Sequence, residues 1–433
     1  MKKFAFLIGT LLTSPAFAES DVEAERDPIH GSHDETIIVT ADYVNEFDLL
    51  AGTSVISGDN ILRQLQPQIG DVLTNEPGVS ATSFGPGASR PVLRGLQGER
   101  VRVLTDGIGT LDVSNTSADH AVTVDPMTTE RIEIFRGPAA LLFGSQAIGG
   151  AVNAIDRRIP RAVPEKGYHF DLLGNYGSAF DEASVGGAIE LAVSDQFVIH
   201  VDGSFRETKD LEVGGFVLTP ALRAQQLEAA AEETEEGNLD EAAEALELAG
   251  LRDILPNSYT ETYTLGGGFA LINERGSLGA SFGYYDTRYG IPARPSAEHH
   301  HEEGGEEEGE EEEGEVPVSI DMKQWRADLR GEIFTGGNFL ESVRFRAGYS
   351  NYEHTEFEGD EVGTVFDSQG FEARLEFVQK DRDGWRGVTG FQGLTRDFVA
   401  IGAEAFVPPN VTDQYGLFTL QEFEWDKFGL EVS

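Results

Sequence analysis

The sequence predicts a membrane β-protein, in which a globular α/β unit precedes the strands of a transmembrane antiparallel β-barrel. Three observations predict this fold class. The chain opens with an export signal, residues from about 168 onward alternate apolar with small or polar residues, and the connections between these segments alternate between short and long. Tight turns on one rim and long loops on the other are typical of bacterial outer-membrane barrels, whereas a soluble β-sandwich has no reason for this alternation.

Residues 1–18 have the three parts of a secretory signal peptide. Lys2 and Lys3 are positively charged, residues 4–12 are apolar, and residues 16–18 form a small-x-small cleavage site. The remainder contains no run of about 18 apolar residues, so the sequence predicts no transmembrane helix. The chain also has no cysteine, which excludes thiol-based metal sites and redox chemistry.

About eleven segments carry the period-two pattern at the length of a transmembrane strand. They cover residues 168–177, 182–193, 196–208, 257–272, 277–288, 319–334, 339–352, 371–379, 384–393, 413–424 and 428 onward. Long connections are expected at residues 209–256, 289–318, 353–370 and 394–412. Because barrels of single bacterial chains have even strand numbers, and an open edge in lipid is costly, we expect residues 161–433 to be the first part of a longer barrel.

The first long connection contains a segment rich in alanine, glutamate and leucine. Its spacing predicts two helices within residues 219–252, separated near Gly237 and Asn238. We expect this insert to be a solvated lid without chemistry of its own. The net charge of the chain is −44, which argues against nucleic acid as a partner and favours a cationic ligand.

Three collinear motifs lie in the N-terminal globular unit. Residues 69–79 read IGDVLTNEPGV, residues 93–107 read LRGLQGERVRVLTDG, and residues 130–153 read ERIEIFRGPAALLFGSQAIGGAVN. They resemble the plug domain of TonB-dependent outer-membrane receptors. The resemblance implies a plug domain at residues 42–160 inside a barrel that is 22-stranded in the family, with about half of the strands present here. It also implies a monomer in the outer membrane, in contact with outer-membrane lipid.

Residues 36–41 resemble a TonB box. They follow a flexible acidic lead at residues 19–35, and their β-branched run could add as a strand to the energising protein TonB. The residues expected to bind TonB are Thr36, Ile37, Ile38, Val39 and Thr40. The alternative is an ordinary first strand of the plug. Further along, six plug arginines could pair with carboxylates of the barrel wall: Arg90, Arg94, Arg100, Arg102, Arg131 and Arg136.

Two kinds of residue predict a metal ligand. The loop at residues 296–316 carries His299, His300 and His301 beside a run of glutamates, and imidazole with carboxylate suits Zn²⁺. A solvated charge run is the alternative, and the three histidines favour a metal-capturing loop. Alternation also places His354, Glu356 and Glu358 on one face of a strand as it leaves the barrel.

A further pair is implied by resemblance alone. Asp119 and His120 lie in a stretch that resembles the zinc-uptake branch of the family, whose plug carries an Asp-His pair facing the external vestibule. By that resemblance both residues would bind zinc. Their spacing by itself shows nothing, because a lone histidine is more often a structural hydrogen-bonding group.

These observations lead to the expectation of TonB-dependent active transport of zinc, with Zn²⁺ as the transported ligand and no cofactor. The alternative is a receptor for haem or a metal chelate, since histidines also bind haem iron. Copper and nickel remain open, because imidazole binds them at least as well as zinc. A passive pore or an adhesin is a different class, which the TonB box argues against. No catalytic constellation is present in the sequence, so no enzymatic activity is expected.

Overall fold

The computed structural model describes residues 53–292, 316–402, 405, 407–425 and 428–433. The chain divides into residues 1–37 and 38–433, and all described residues belong to the second unit. The predicted TonB-binding residues 36–40 and the loop histidines 299–301 therefore lie outside the described residues. Among the helices of the described ranges, none is long and apolar enough to cross a membrane.

Short elements build the N-terminal domain, which we call the plug. They are β1 (Ser54–Ser57), α1 (Asp59–Arg63), α2 (Ile69–Val72), β2 (Val79–Ala81), β3 (Pro91–Leu93), a 3₁₀ turn (Gly98–Arg100), β4 (Val101–Thr105), β5 (Ile108–Gly109), β6 (Arg131–Phe135), a 3₁₀ helix (Gly137–Phe143) and β7 (Gly150–Ile155). Five strands form a sheet in the order β1-β6-β7-β4-β5. Only the β4–β7 pair in this sheet is parallel, so the sheet is mixed.

The centre of the plug sheet is covered on both faces. Every residue of β6 and β7 is buried, and their apolar side chains pack against Ile69, Val72 and Leu73 of the α2 region. The buried Glu133 carboxylate accepts hydrogen bonds from Arg131 Nε at 3.1 Å and Asn153 Nδ2 at 3.0 Å. These partners satisfy the charge inside the plug, as a buried carboxylate requires.

Eleven strands form a second, antiparallel sheet in which neighbours in sequence are neighbours in space. They are β8 (Tyr168–Gly177), β9 (Glu182–Ala192), β10 (Phe197–Thr208), β13 (Thr260–Asn273), β14 (Gly276–Ile291), β15 (Val318–Phe334), β16 (Leu340–Glu358), β17 (Glu361–Arg382), β18 (Trp385–Gly402), β19 (Asn410–Trp425) and β20 (Phe428–Val432). The prediction of about eleven antiparallel strands is confirmed. We call this sheet the wall.

The two faces of the wall differ in chemistry. On β15, Trp325 and Leu329 are exposed, whereas Gln324 and Arg326 are buried against the plug. Their side chains donate to plug carbonyls: Gln324 Nε2 lies 2.9 Å from the Thr110 oxygen, and Arg326 Nη1 lies 2.8 Å from the Gly109 oxygen. An apolar outer face and a polar inner face are what a transmembrane strand needs.

Two of the predicted long connections are wrong. Strands β16 and β17 remain paired as far as Glu358 and Glu361, so residues 353–370 form the end of a long hairpin. In the same way, β18 reaches Gly402 and β19 begins at Asn410, which shortens the connection predicted at residues 394–412. Beyond the bilayer a strand no longer needs an apolar outer face, so its polar sequence looks like a loop.

The first long connection carries two helices on a two-stranded ribbon. The ribbon consists of β11 (Leu211–Phe216) and β12 (Arg252–Leu255), and the helices are α3 (Pro220–Glu236) and α4 (Leu239–Gly250). The Thr219 side chain caps α3 by accepting from Leu222 N, and Gly237 ends α3 with a left-handed φ of 93°. The helices fall inside the predicted insert.

The arginine pairs between plug and wall follow the prediction only in part. Arg102 pairs with Glu372 of β17 at 2.6 Å. For Arg90 and Arg131 the prediction is wrong, because these side chains bind the plug's own Ser114 oxygen and Glu133 carboxylate. Both arginines are buried, and the acceptors that they reach belong to the plug itself. A further pair, which was not predicted, joins Arg158 to Asp202 of β10 at 2.9 Å.

Candidate metal centre

The wall contributes two ligand candidates from the extended end of β16. His354 and Glu356 are separated by one residue, so both side chains point to the inner face, where both are buried. Met322 of β15 and Phe366 of β17 lie directly beside His354 in the strand register. The long β16–β17 hairpin therefore holds this pair on regular structure, with its hydrogen-bonded neighbours fixing the backbone.

The plug contributes a loop, residues 112–123, whose two ends are joined by hydrogen bonds to the Asp112 side chain. The Asp112 Oδ1 atom accepts from Ser114 N at 3.1 Å and from Ser114 Oγ at 2.6 Å. Its Oδ2 atom accepts from Thr123 N and Thr123 Oγ1, both at 3.1 Å. One carboxylate thus joins the two ends of the segment that contains His120. Four hydrogen bonds to one buried acceptor restrict the loop to a defined conformation.

Three side chains from plug and wall meet in one buried cluster. His120 Nε2 lies 2.8 Å from Glu356 Oε1, and His354 Nε2 lies 3.3 Å from the same oxygen. One ligand atom from each of the three residues lies within 4.8 Å of the others. The exposed fractions of His120, His354 and Glu356 are 0%, 0% and 6%, so bulk water does not solvate the group.

The hydrogen bonds of His120 determine its protonation. Its Nδ1 atom lies 3.1 Å from the Val113 carbonyl oxygen, which can only accept, so Nδ1 carries a hydrogen. In the neutral imidazole, Nε2 would then turn a lone pair towards the Glu356 carboxylate. Burial alone would lower the pKa of His120, but the hydrogen bond to Glu356 and the charges of Asp119 and Glu356 raise it above its usual value. The site therefore favours a cation between these two atoms, either a proton or a metal ion.

His354 also has an oxygen partner at Nδ1, which lies 2.9 Å from the Tyr352 hydroxyl. Its buried Nε2 atom faces Glu356 Oε1 at 3.3 Å, but no well-aligned hydrogen bond joins the two atoms. Buried polar atoms usually have a partner. Metal-binding histidines commonly engage their second ring nitrogen with a carbonyl, carboxylate or water, and in both histidines here the Nδ1 atom has an oxygen partner.

The geometry suits a small divalent ion. Two ligands at about 2.0–2.1 Å from a tetrahedral metal are separated by roughly 3.3 Å, which is close to the observed N···O distances of 2.8 and 3.3 Å. Two imidazoles and a carboxylate form a ligand set that binds Zn²⁺, and imidazole also suits Cu²⁺ and Ni²⁺. A fourth position would be filled by water or another group.

The structure does not bring all predicted ligands together. The Asp119 carboxylate accepts from Ser117 Oγ and does not belong to the three-residue cluster. Glu358 is the exposed last residue of β16, also outside the cluster. Asp112 and Tyr352 were not predicted as part of the site. Tyr352 shares the face of His354 by alternation and could have been noted, whereas the role of Asp112 depends on tertiary structure.

Comparisons with known proteins agree with this architecture. Residues 45–151 match the family model described as TonB-dependent Receptor Plug Domain. A solved structure described as Copper transporter OprC shares 15% identity and a TM-score of 0.62, over 86% of this chain and 52% of that chain. The Serratia marcescens hemophore receptor HasR, in complex with its hemophore HasA and heme, shares 13% identity and a TM-score of 0.64, over 90% and 52%. The siderophore receptor PirA from Pseudomonas aeruginosa shares 15% identity and a TM-score of 0.54, over 86% and 53%.

These similarities show the fold. The chain spans about half the length of the solved structures it matches. Within that span it combines a plug domain with a large antiparallel sheet, which is the fold of TonB-dependent receptors, so the predicted fold class is confirmed. The plug domain and this fold place the chain in the outer membrane.

Proposed function

We propose that this protein imports zinc ions across the outer membrane in a TonB-dependent manner, and that His120, His354 and Glu356 bind the ion during passage. The observation that carries the proposal is the buried cluster of two imidazoles and one carboxylate within 4.8 Å. The plug domain supports coupling to TonB, because the family model that matches residues 45–151 is described as the plug domain of TonB-dependent receptors. The proposed activity is transport, without a chemical reaction.

The division of the ligands suggests how the ion is released. His120 belongs to the plug, whereas His354 and Glu356 belong to β16 of the wall. TonB would bind residues 36–40 as an added strand and pull the plug away from the wall. Separation removes one of three ligands, and the remaining pair would hold the ion far less tightly. Movement of the plug would then be sufficient to release the ion.

The burial of the cluster favours a bare ion over haem or a chelate. Both histidines are fully buried, and the Phe366 ring packs edge-on against each of them at 5.1 and 5.2 Å. A ligand the size of haem could not reach the ring nitrogens without displacing the plug loop. The solved neighbours include receptors for a siderophore and for heme with its hemophore, so we retain these ligands as the alternative to be tested.

Copper is the second candidate, because one observation favours it. Met322 is fully buried and lies opposite His354 on the adjacent strand, where side chains share a face. A thioether is a soft ligand that selects Cu(I), and one solved neighbour is described as a copper transporter. The Glu356 carboxylate argues for zinc, since a hard oxygen ligand suits Cu(I) poorly.

The remaining predicted ligands would act around this centre. His299, His300 and His301 would concentrate zinc weakly at the surface, before the ion reaches the plug. Asp119 and Glu358 lie near the cluster in sequence, and either could become a ligand once the ion displaces Ser117 from Asp119 or draws in the end of β16.

Competitive zinc binding to the protein purified in detergent tests the proposal. We expect His120→Ala and Glu356→Gln each to abolish the tightest site, while weak binding to the surface loop persists. His169→Ala is the matched control, because this histidine is exposed on β8, outside the cluster. If the tightest site survives in both cluster variants, the centre is assigned wrongly, and haem and metal chelates become the ligands to test.

Zinc and copper are separated by a substitution at Met322. Met322→Leu conserves volume and removes the sulfur, so zinc affinity should change little from the wild type. Cu(I) affinity measured against a chelating competitor should be weak in both proteins. A wild type that binds Cu(I) more tightly than zinc, and loses this binding in Met322→Leu, would make copper the transported ion.

A further inference from the structure

A wall tyrosine lies against the plug loop that carries His120. Tyr289 is near the end of β14, its side chain is fully buried, and it is not a member of the metal cluster. Its hydroxyl donates to the Asp119 carbonyl oxygen at 2.9 Å and accepts from the Ala121 amide at 3.0 Å. One oxygen atom of the wall therefore contacts the plug backbone on both sides of His120.

The two contacts fix the peptide groups that flank one residue. The Asp119 carbonyl belongs to the peptide plane before His120, and the Ala121 amide belongs to the plane after it. The orientation of these two planes sets the direction of the bond from the His120 Cα atom to its side chain. A tyrosine hydroxyl can donate one hydrogen bond and accept another, so both contacts are satisfied at once.

The tyrosine ring is itself held in place by the plug. A Cβ atom added at Gly87 would come within 2.5 Å of the Tyr289 ring, so the plug backbone at this glycine lies directly on the ring. Tyr289 also packs in a cluster of buried residues with Tyr352 and Met322. The ring cannot swing away from His120 without moving the plug or the wall.

We propose that Tyr289 is a positioning residue of the metal centre, which orients His120 of the plug towards His354 and Glu356 of the wall. The inference rests on the proposed function. In addition to supplying the ligands His354 and Glu356, the wall would orient His120, the ligand that the plug supplies. The site is then complete only while the plug is seated against β14, since unseating breaks both hydrogen bonds to the Tyr289 hydroxyl.

Tyr289→Phe removes the hydroxyl and keeps the ring. We expect affinity for Zn²⁺ to fall by about 10- to 100-fold, the usual effect of losing a group that orients a metal ligand. The visible absorption spectrum of bound Co²⁺ should also change, because ligand orientation alters the coordination geometry. Tyr285→Phe is the matched control: this buried tyrosine lies on the same strand and face, and its hydroxyl contacts Gln68 instead. It should leave affinity and spectrum unchanged.

Hydrogen exchange in the metal-free protein gives an independent readout. The peptide that contains the Ala121 amide should exchange faster in Tyr289→Phe than in the wild type and in Tyr285→Phe. If Tyr289→Phe does not fold, Gly87→Ala tests the same contact by pushing the ring aside, and should produce the same losses.

The outcomes separate this inference from the proposed function. Wild-type affinity, Co²⁺ spectrum and exchange in Tyr289→Phe would overturn the role of Tyr289. A wild type without a tight zinc site would overturn the proposed function, while faster exchange at Ala121 in Tyr289→Phe would still show that the hydroxyl orders the backbone around His120.

Discussion

At the scale of single residues, protonation and metal binding compete for His120. Its Nδ1 atom donates its hydrogen to the Val113 carbonyl oxygen, so a metal ion and a proton compete for the Nε2 atom. Since the pKa of His120 is raised, the proton competes at a higher pH than it would at a free imidazole. A zinc ion that enters this centre at a pH below that raised pKa therefore displaces a proton.

Zinc binding should weaken as the pH falls. The raised pKa means that protonated His120 is the favoured form of the metal-free protein as pH falls, so apparent zinc affinity should decrease from above about pH 6.5, the usual imidazole value. Competition titrations at several values between pH 8 and pH 5 measure it. Affinity that is unchanged between pH 7.5 and pH 5 would argue against imidazole ligands.

Asp156, which follows β7, the last strand of the plug, should make the stability of the protein depend on pH. Burial raises the pKa of Asp156 to about 6, and the charges of Asp106 and Asp202 act in the same direction. The folded protein then binds the proton more tightly than the unfolded chain, so stability falls as pH rises from about 4 to 6. Asp156→Asn should stabilise the protein by about 1–2 kcal/mol at pH 7.5 and have no effect at pH 4. Thermal unfolding in detergent at both pH values checks this, and equal shifts would contradict it.

At the scale of elements, alternation predicted the strands but not where they end. The pattern depends on one face being apolar, and it fades where β16 and β17 extend to Glu358 and Glu361. That extension carries His354 and Glu356, whose shared face followed from alternation alone. His120 was implied by a family resemblance, since no local pattern distinguishes it. The roles of Asp112 and Tyr289 could not be predicted from the sequence, because they depend on contacts with residues distant in sequence.

The seat of the plug depends on glycines in the wall. A Cβ atom added at Gly268 of β13 would collide with the Arg158 carbonyl, and one added at Gly279 of β14 would come within 2.5 Å of the Ile159 side chain. These glycines make a recess for the plug segment that also pairs Arg158 with Asp202. The recess exists because these two wall positions carry no side chain. A larger residue at either position would collide with residue 158 or 159 of the plug.

Gly268→Val should therefore loosen the plug. We expect a loss of about 1–3 kcal/mol, the usual cost of overpacking, with faster hydrogen exchange in the peptide around Arg158. Gly416→Val is the matched control, because nothing lies within 4 Å of an added Cβ on that glycine of β19. Equal exchange in the two variants would mean that the recess does not hold the plug.

At the scale of the whole molecule, the net charge of −44 should speed the capture of cations. A field of one sign raises the local concentration of counter-ions, and salt screens it over about 10 Å at 0.1 M ionic strength. The buried centre is screened much less. Raising the salt concentration should therefore slow zinc uptake by cells at limiting zinc, while the affinity of the tight site changes little.

Deleting residues 296–316, with three histidines and eleven glutamates between positions 298 and 315, should slow uptake at low salt and reduce its salt dependence. If the deletion leaves the rate of zinc uptake unchanged, the long-range attraction comes from the other acidic residues of the surface.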